Sequence, residues 1–448
     1  MKESSIKNQS AYHSKVILAL VIIVLHFSSC SEAKRTAPKS EKENHVWSNG
    51  LINAYRALDE DRNTASADLL LEATENMPNK NWENYFVCAT IYAPNGETDK
   101  AFDALDKAIE SGLRDSQLLN SIPELSNLYD NPRWKTVIEK TENKRGEYLR
   151  KIESPEVLEL LENLWAEDQR VLTQYNEQIA LLDSTVTDED YDRLFEPIEK
   201  RWDINKIKLD SIIQIYGWPG NRLVGEDGAK ISWGIPQHHP NVFFKQKCLS
   251  KIKEAVEKGD MDPNHYAELN DRIARETWQK QTYGASMGQN APYPIANPSE
   301  VNQRRFELGL LEPVEVYAYY HGITYVAPFE EEAKLEAKTN FEEAQSNYAK
   351  FGKFIKAKEI DSALFALKKS IKHYGDLNNE QLYKAALTLS AQSEERAKNL
   401  SLRILKVLIW RKWEERFDYI QKSNFTEIDE DDWNTIIKLL EQSKVKIV

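Results

Sequence analysis

Between Leu158 and Leu182 the apolar side chains fall at Leu158, Leu161, Trp165, Leu172, Tyr175, Ile179 and Leu182. Steps of three and four place them on one face of a helix, and the run is too long for a strand. Ser154-Pro155 just ahead supplies a helix start, Ser as N-cap and Pro at the first helical position. The same period returns at Trp202, Leu209, Ile212 and Tyr216, and at Ile360, Leu364, Leu367, Ile371 and Tyr374. With only 16 Gly and 16 Pro in 448 residues, the turns that an all-β chain needs are scarce. The expected fold class is all-α.

Two residues break these stripes. Asp168 lies inside the first and Asn205 inside the second, where aliphatic residues are expected. A polar group on a buried helix face is costly unless it is hydrogen-bonded, so each implies a partner.

A net charge of −13 argues against a nucleic-acid partner, since phosphate-backbone binding rests on clustered Lys and Arg. Three cysteines cannot build a disulfide scaffold. Cys88 and Cys248 sit in apolar-patterned helical segments and are expected to be buried free thiols.

Residues 1–29 have the form of a signal peptide: Lys2, Lys7 and Lys15, then the apolar run Val16 to Leu25. That run is too short for a membrane span of about 20 residues. Phe27-Ser28-Ser29-Cys30 follows and resembles the bacterial lipobox, with Phe27 where Leu is usual. The resemblance implies lipidation of Cys30 and attachment to a membrane through that lipid. An ordinary secretory signal is the alternative. Ser31 resembles the outer-membrane sorting pattern of Gram-negative lipoproteins, so the expected location is the cell envelope. Removal of residues 1–29 takes away three Lys and one Glu and leaves a charge of −15. Residues 30–45 lack aliphatic anchors and are expected to be a flexible tether.

The remainder divides into 46–150, 154–325 and 329–448. In the first part, Asn84 to Ala93, Gly96, Ala101, Leu105, Ala108 and Ile109 resemble a tetratricopeptide repeat. Small Ala101 and Ala108 would let two helices approach, with Leu105 and Ile109 filling the groove. Lys358 to Ile371 is a weaker echo of Gly96 to Ile109.

In the middle part come Glu167-Asp168-Gln169-Arg170, Asp203, Asn205, Tyr216-Gly217-Trp218-Pro219, Leu223-Val224-Gly225 and Gly228-Ala229. Then follow Trp233, Gln237-His238, Asp271-Arg272, Gln281, Tyr283-Gly284, Arg304-Arg305 and Gly309. In order and spacing these resemble the domain-of-unknown-function family 6624 over about 160–309. The departure is Ala285 after Tyr283-Gly284, where the family has Thr followed by Gln. The resemblance implies a mostly helical domain and supplies no reaction.

Further helices are expected over Val242–Lys258 and Pro263–Gln281, and before them a short one that carries Trp233 towards Gln237, His238 and His239, limited by Pro236 and Pro240. His238 and His239 are adjacent, and neighbours on a helix diverge by about 100°, so the pair offers at most one metal ligand. No HExxH or CxxC spacing is present, and neither metal nor cofactor is expected. Gly284-Ala285-Ser286-Met287-Gly288 matches the nucleophile-elbow pattern by letter, but no buried strand precedes it. The candidate polar cleft is Asp168, Asn205, His238, Asp271, Arg272 and Tyr283, expected either to converge as acid–base and anion-binding groups or to fix helix register. Catalytic residues are not assigned. The expected function is a protein- or peptide-binding scaffold, with a hydrolase acting through Asp168 and His238 as the alternative.

Overall fold

The computed structural model describes residues 41–77, 80–181 and 187–444. The signal segment 1–29, Cys30 and Leu182 lie outside the described residues. All regular structure among the described residues is helical apart from two isolated bridges, Gln281–Ile295 and Met287–Pro292, so the fold is all-α. No helix among the described residues is long and apolar enough to cross a membrane.

The chain forms two compact units. The first runs to Glu162 and takes in Pro219–Ile231 as well. Its helices are α1 (Glu41–Glu60), α2 (Thr64–Glu75), α3 (Trp82–Tyr92), α4 (Thr98–Glu110), α5 (Ser116–Ser121) and α6 (Pro132–Leu149). Residues 41–45, counted in the tether on sequence, belong to α1. Asn63, Asn81, Asp115 and Asn131 cap four of these helices, each side chain accepting from a backbone N–H of the first turn. Successive pairs α1/α2, α2/α3 and α3/α4 pack together. Ala101, Ala104 and Ala108 are buried on α4, which brings α3 close enough to bury most of its own length. Cys88 on α3 donates to the Ala67 carbonyl of α2 at 3.4 Å and has its thiol pushed up to about 12 by burial.

Pro219–Ile231 is held in this unit by a charged cluster. Arg114 clamps Asp227 with Nε and Nη2, both at 2.9 Å, while its guanidinium lies 3.9 Å from the Tyr148 ring centre. Arg145 bonds Asp227 at 3.2 Å and also pairs with Glu162. Burial alone would lower the Arg114 pKa, but Asp227 outweighs it and the guanidinium is held charged. The Tyr148 hydroxyl accepts from the Asp227 N–H at 3.0 Å. Gly225 lies beneath that ring with φ +68°, and a Cβ there would come within 2.0 Å of the Tyr148 hydroxyl.

The second unit holds Asn163–Trp218 and Ser232 onward. Two long helices enter it, α7 (Pro155–Ala180) from Asn163 and α8 (Asp188–Tyr216) to its end. Next come α9 (Asn221–His238), which belongs to this unit from Ser232, then α10 (Val242–Glu257), α11 (Pro263–Glu276), α12 (Val301–Leu308) and α13 (Val314–Tyr320). The short helix expected to carry Trp233 is therefore longer: α9 starts at Asn221, bends at Gly225 and absorbs Pro236 two residues from its end. In turn, α11 ends five residues before the expected Gln281, because Trp278 adopts φ +52° and turns the chain out of the helix.

The C-terminal part of this unit is α14 (Glu330–Lys356), α15 (Ile360–Ile371), α16 (Asn379–Ser390), α17 (Glu395–Trp410), α18 (Arg416–Tyr419) and α19 (Glu430–Lys444). The pairs α14/α15 and α16/α17 pack closely, and α19 packs on α17. Leu367, Leu389, Leu405, Ile409 and Ile436 are fully buried in their shared core.

Candidate functional site

Three helices of the second unit meet at His238, the last residue of α9. Trp165 on α7 reaches α9 because Gly234 has no side chain: a Cβ there would stand 2.7 Å from the indole. One turn later His238 stacks on the same indole, centroids 5.1 Å apart and planes 26° from parallel. Trp202 on α8 approaches His238 from another direction at 6.4 Å.

Asp168 is the polar centre of this arrangement. Its side chain is 2% exposed, and Oδ2 lies 2.7 Å from Nδ1 of His238. Oδ1 accepts from Nδ2 of Asn205 at 3.0 Å, and Oδ2 also takes a 3.2 Å bond from Gln169. A carboxylate can only accept, so the imidazole proton sits on Nδ1 and Nε2 carries the lone pair when the ring is neutral. Nε2 has no hydrogen-bond partner among the described residues, and the His238 side chain is 27% exposed. Asn205 is 1% exposed, and its Oδ1 is also without a partner among them, as is Nε1 of Trp202.

His239 shows the opposite pattern. Its Nδ1 accepts from the Asn241 N–H at 3.0 Å, so Nε2 carries the proton and donates to Asp203 at 3.2 Å. Both nitrogens are used, and burial lowers its pKa, with Asp203 opposing. As their separation on the helix requires, the two histidines serve different partners. No group of three His, Cys, Asp or Glu side chains able to hold a metal occurs among the described residues.

Of the six residues expected to converge, the structure joins Asp168, Asn205 and His238. The other three have different partners. Asp271 is fully buried and gathers the backbone N–H groups of Thr282 at 2.8 Å, Tyr283 at 2.9 Å and Ala285 at 2.9 Å. Burial raises its pKa, against which these N–H groups act. Arg272 bonds Glu276 at 3.1 Å, and Glu276 also pairs with Lys245, which is 1% exposed. Burial brings the Lys245 amine down to about 8, with Glu276 opposing and Arg272 adding to the fall. The Tyr283 ring packs edge-on to Tyr266, 6.1 Å away.

Asp271 therefore secures the irregular stretch after α11. Gln281 closes it by accepting from the Ser286 N–H at 2.8 Å and donating to the Ser286 carbonyl at 3.0 Å. Arg304 and Arg305 donate to carbonyls of Thr282 at 2.9 Å and Tyr283 at 3.0 Å. Ser286 thus lies in a loop clasped by side chains and not at a strand-to-helix elbow.

Sequence reasoning did not single out Trp165 as a partner of His238, nor Gly234. The available signal was a glycine four residues before His238 on the same helix face, which marks a close approach.

Residues 192–326 match a family of unknown function (DUF6624). No curated protein and no solved structure matches the chain. The matched stretch takes in Asn205, His238, Asp271, Arg272 and Tyr283, but begins beyond Asp168. Thus the histidine of the pair lies inside the matched stretch and its carboxylate lies before it.

Proposed function

We propose that this chain is a lipid-anchored protein of the cell envelope whose central domain carries out acid–base chemistry at His238. The carrying observation is the contrast between adjacent histidines. His239 is bonded at both nitrogens, as a register-fixing residue should be, whereas His238 is held at Nδ1 by buried Asp168 and keeps Nε2 free among the described residues. A carboxylate on Nδ1 fixes the tautomer and supports the imidazolium that forms on proton uptake. No Ser, Thr or Cys side chain bonds His238 among the described residues, so the nucleophile in this reading is water. Nε2 takes a proton as the water oxygen attacks, and returns it to the leaving group as the scissile bond breaks. The reaction class is hydrolysis.

The anchor belongs to the same proposal: cleavage after Ser29 and acylation of Cys30, with residence at the outer membrane of a Gram-negative envelope. A protein- or peptide-binding role for the helical pairs is the second reading, favoured by the close packing of α3 on α4 and of α14 on α15, which suits tetratricopeptide-like hairpins.

The test is hydrolysis of a chromogenic ester and amide panel by wild type, His238→Gln and Asp168→Asn. Both replacements keep a hydrogen-bonding side chain in place. A folded His238→Gln variant that loses about 100-fold or more in kcat supports the site. Unchanged turnover in that variant sinks it. Loss of labelled palmitate incorporation in Cys30→Ala tests the anchor, and no incorporation into wild type refutes it.

A further inference from the structure

Four rings are linked by ring contacts to His238 of the Asp168–His238 pair. Trp165 and Trp202 both contact His238; Phe195 stands edge-on to Trp202 at 5.4 Å, and Tyr175 edge-on to Phe195 at 5.6 Å. Each is partly exposed, and none is sealed in the core.

Three other rings of this unit that reach solvent carry a cation from the protein itself, whereas Phe306, Phe329 and Phe341 are exposed without one among the described residues. Arg275 lies over Tyr293 at 5.3 Å, Arg416 over Phe417 at 4.4 Å and Lys369 over Phe365 at 4.7 Å. Among the described residues no Lys or Arg lies over Tyr175, Phe195 or Trp202. The stretch that bears them, 167–203, has eleven Asp and Glu against four Lys and Arg. Uncovered aromatic faces among carboxylates attract ammonium and guanidinium groups.

A second feature narrows the ligand. Next to the pair, Asn205 Oδ1 lacks a donor and Trp202 Nε1 lacks an acceptor among the described residues. A backbone amide supplies both an N–H and a C=O. Both atoms are shielded from solvent, so a ligand reaches them only when the side chains over them move.

We propose that the ring row Tyr175–Phe195–Trp202 is the binding track for a lysine- or arginine-bearing peptide segment, laid so that its backbone reaches His238. This rests on the acid–base reading of His238 and names the substrate class for it.

The test is calorimetric titration of the full-length protein in neutral detergent at 150 mM salt, with a (Lys-Gly)5 peptide and its (Glu-Gly)5 counterpart. Phe195→Leu and Tyr175→Leu keep apolar bulk and remove the ring face, and Phe365→Leu controls for rings in general. The expected result is binding of the lysine peptide alone, weakened about ten-fold by Phe195→Leu or Tyr175→Leu and unaltered by Phe365→Leu. Trp fluorescence should change on binding, and this change should be lost in Trp202→Phe. Equal binding to all three Leu variants, or binding of the glutamate peptide, overturns the proposal. His238→Gln separates the two ideas. Retained lysine-peptide binding with wild-type turnover of the panel removes the acid–base reading alone. Turnover lost in that variant, with no lysine-peptide binding by wild type, removes the track alone.

Discussion

Gly234 and Trp165 are in contact because the helix presents bare backbone to the indole: a Cβ at 234 would fall 2.7 Å from Cζ3 and 2.9 Å from Cη2 of that ring. Neither atom is the end of a flexible chain, so the ring or the helix must shift. His238 stacks on the same indole, and the shift would be passed to the imidazole. Gly234→Ala is expected to cost about 1–3 kcal/mol from overpacking, read by urea unfolding. Hydrolytic activity should fall with it under conditions where the variant is still folded. Full activity with full stability would show that the indole does not position His238.

Gly225 is a sharper case, since two independent terms oppose any side chain. Its φ of +68° with ψ near 179° is a backbone conformation open almost only to glycine, and the Tyr148 ring fills the space a Cβ would take. Gly225→Ala should lower stability by about 2 kcal/mol or more. In the double variant with Tyr148→Ala the steric part disappears while the backbone part stays. The two substitutions should therefore couple favourably by about 1 kcal/mol in a double-mutant cycle. Additive effects would place the whole cost in the backbone.

Asp271 predicts a local effect as well as a global one. Its carboxylate is the acceptor for the N–H groups of Thr282, Tyr283 and Ala285. Asp271→Ala leaves three donors without that acceptor in a buried setting, at a cost of about 3 kcal/mol or more. Amide hydrogen exchange should accelerate first at 282–285, ahead of the helices. If exchange rises uniformly across the unit instead, the loop is not a separate element held by Asp271.

The helices were legible because amphipathic spacing is a property of sequence alone. The in-stripe polar residues were legible for a related reason: an Asp and an Asn on buried faces must find partners, and Asp168 and Asn205 found each other. What sequence could not show was how the six candidates divide. Nothing in the letters Asp271-Arg272 says that the backbone N–H groups of the following loop converge on that carboxylate, because the loop path is set by Gln281 and by Arg304 and Arg305, from two separate places in the chain. Equally, adjacency of His238 and His239 gives no clue to which is enclosed. That depends on Asp203 and Asn241 meeting one ring while solvent meets the other.

Lys245 gives a pH prediction with a definite sign. Burial brings its folded-state pKa down from 10.5 to about 8, so the folded chain binds the proton less tightly than the unfolded chain. Below about pH 8 both states hold the proton, and the cost of a buried charge is fully present. Between about 8 and 10.5 the unfolded state binds more protons, so stability contributed by this residue rises with pH. Other groups titrate in the same range, which makes Lys245→Met the necessary reference. The difference in unfolding free energy, wild type minus Lys245→Met, should climb by about 2–3 kcal/mol from pH 7.5 to pH 10.5. A flat difference would mean that Glu276 holds the ammonium charged throughout that range, despite its burial.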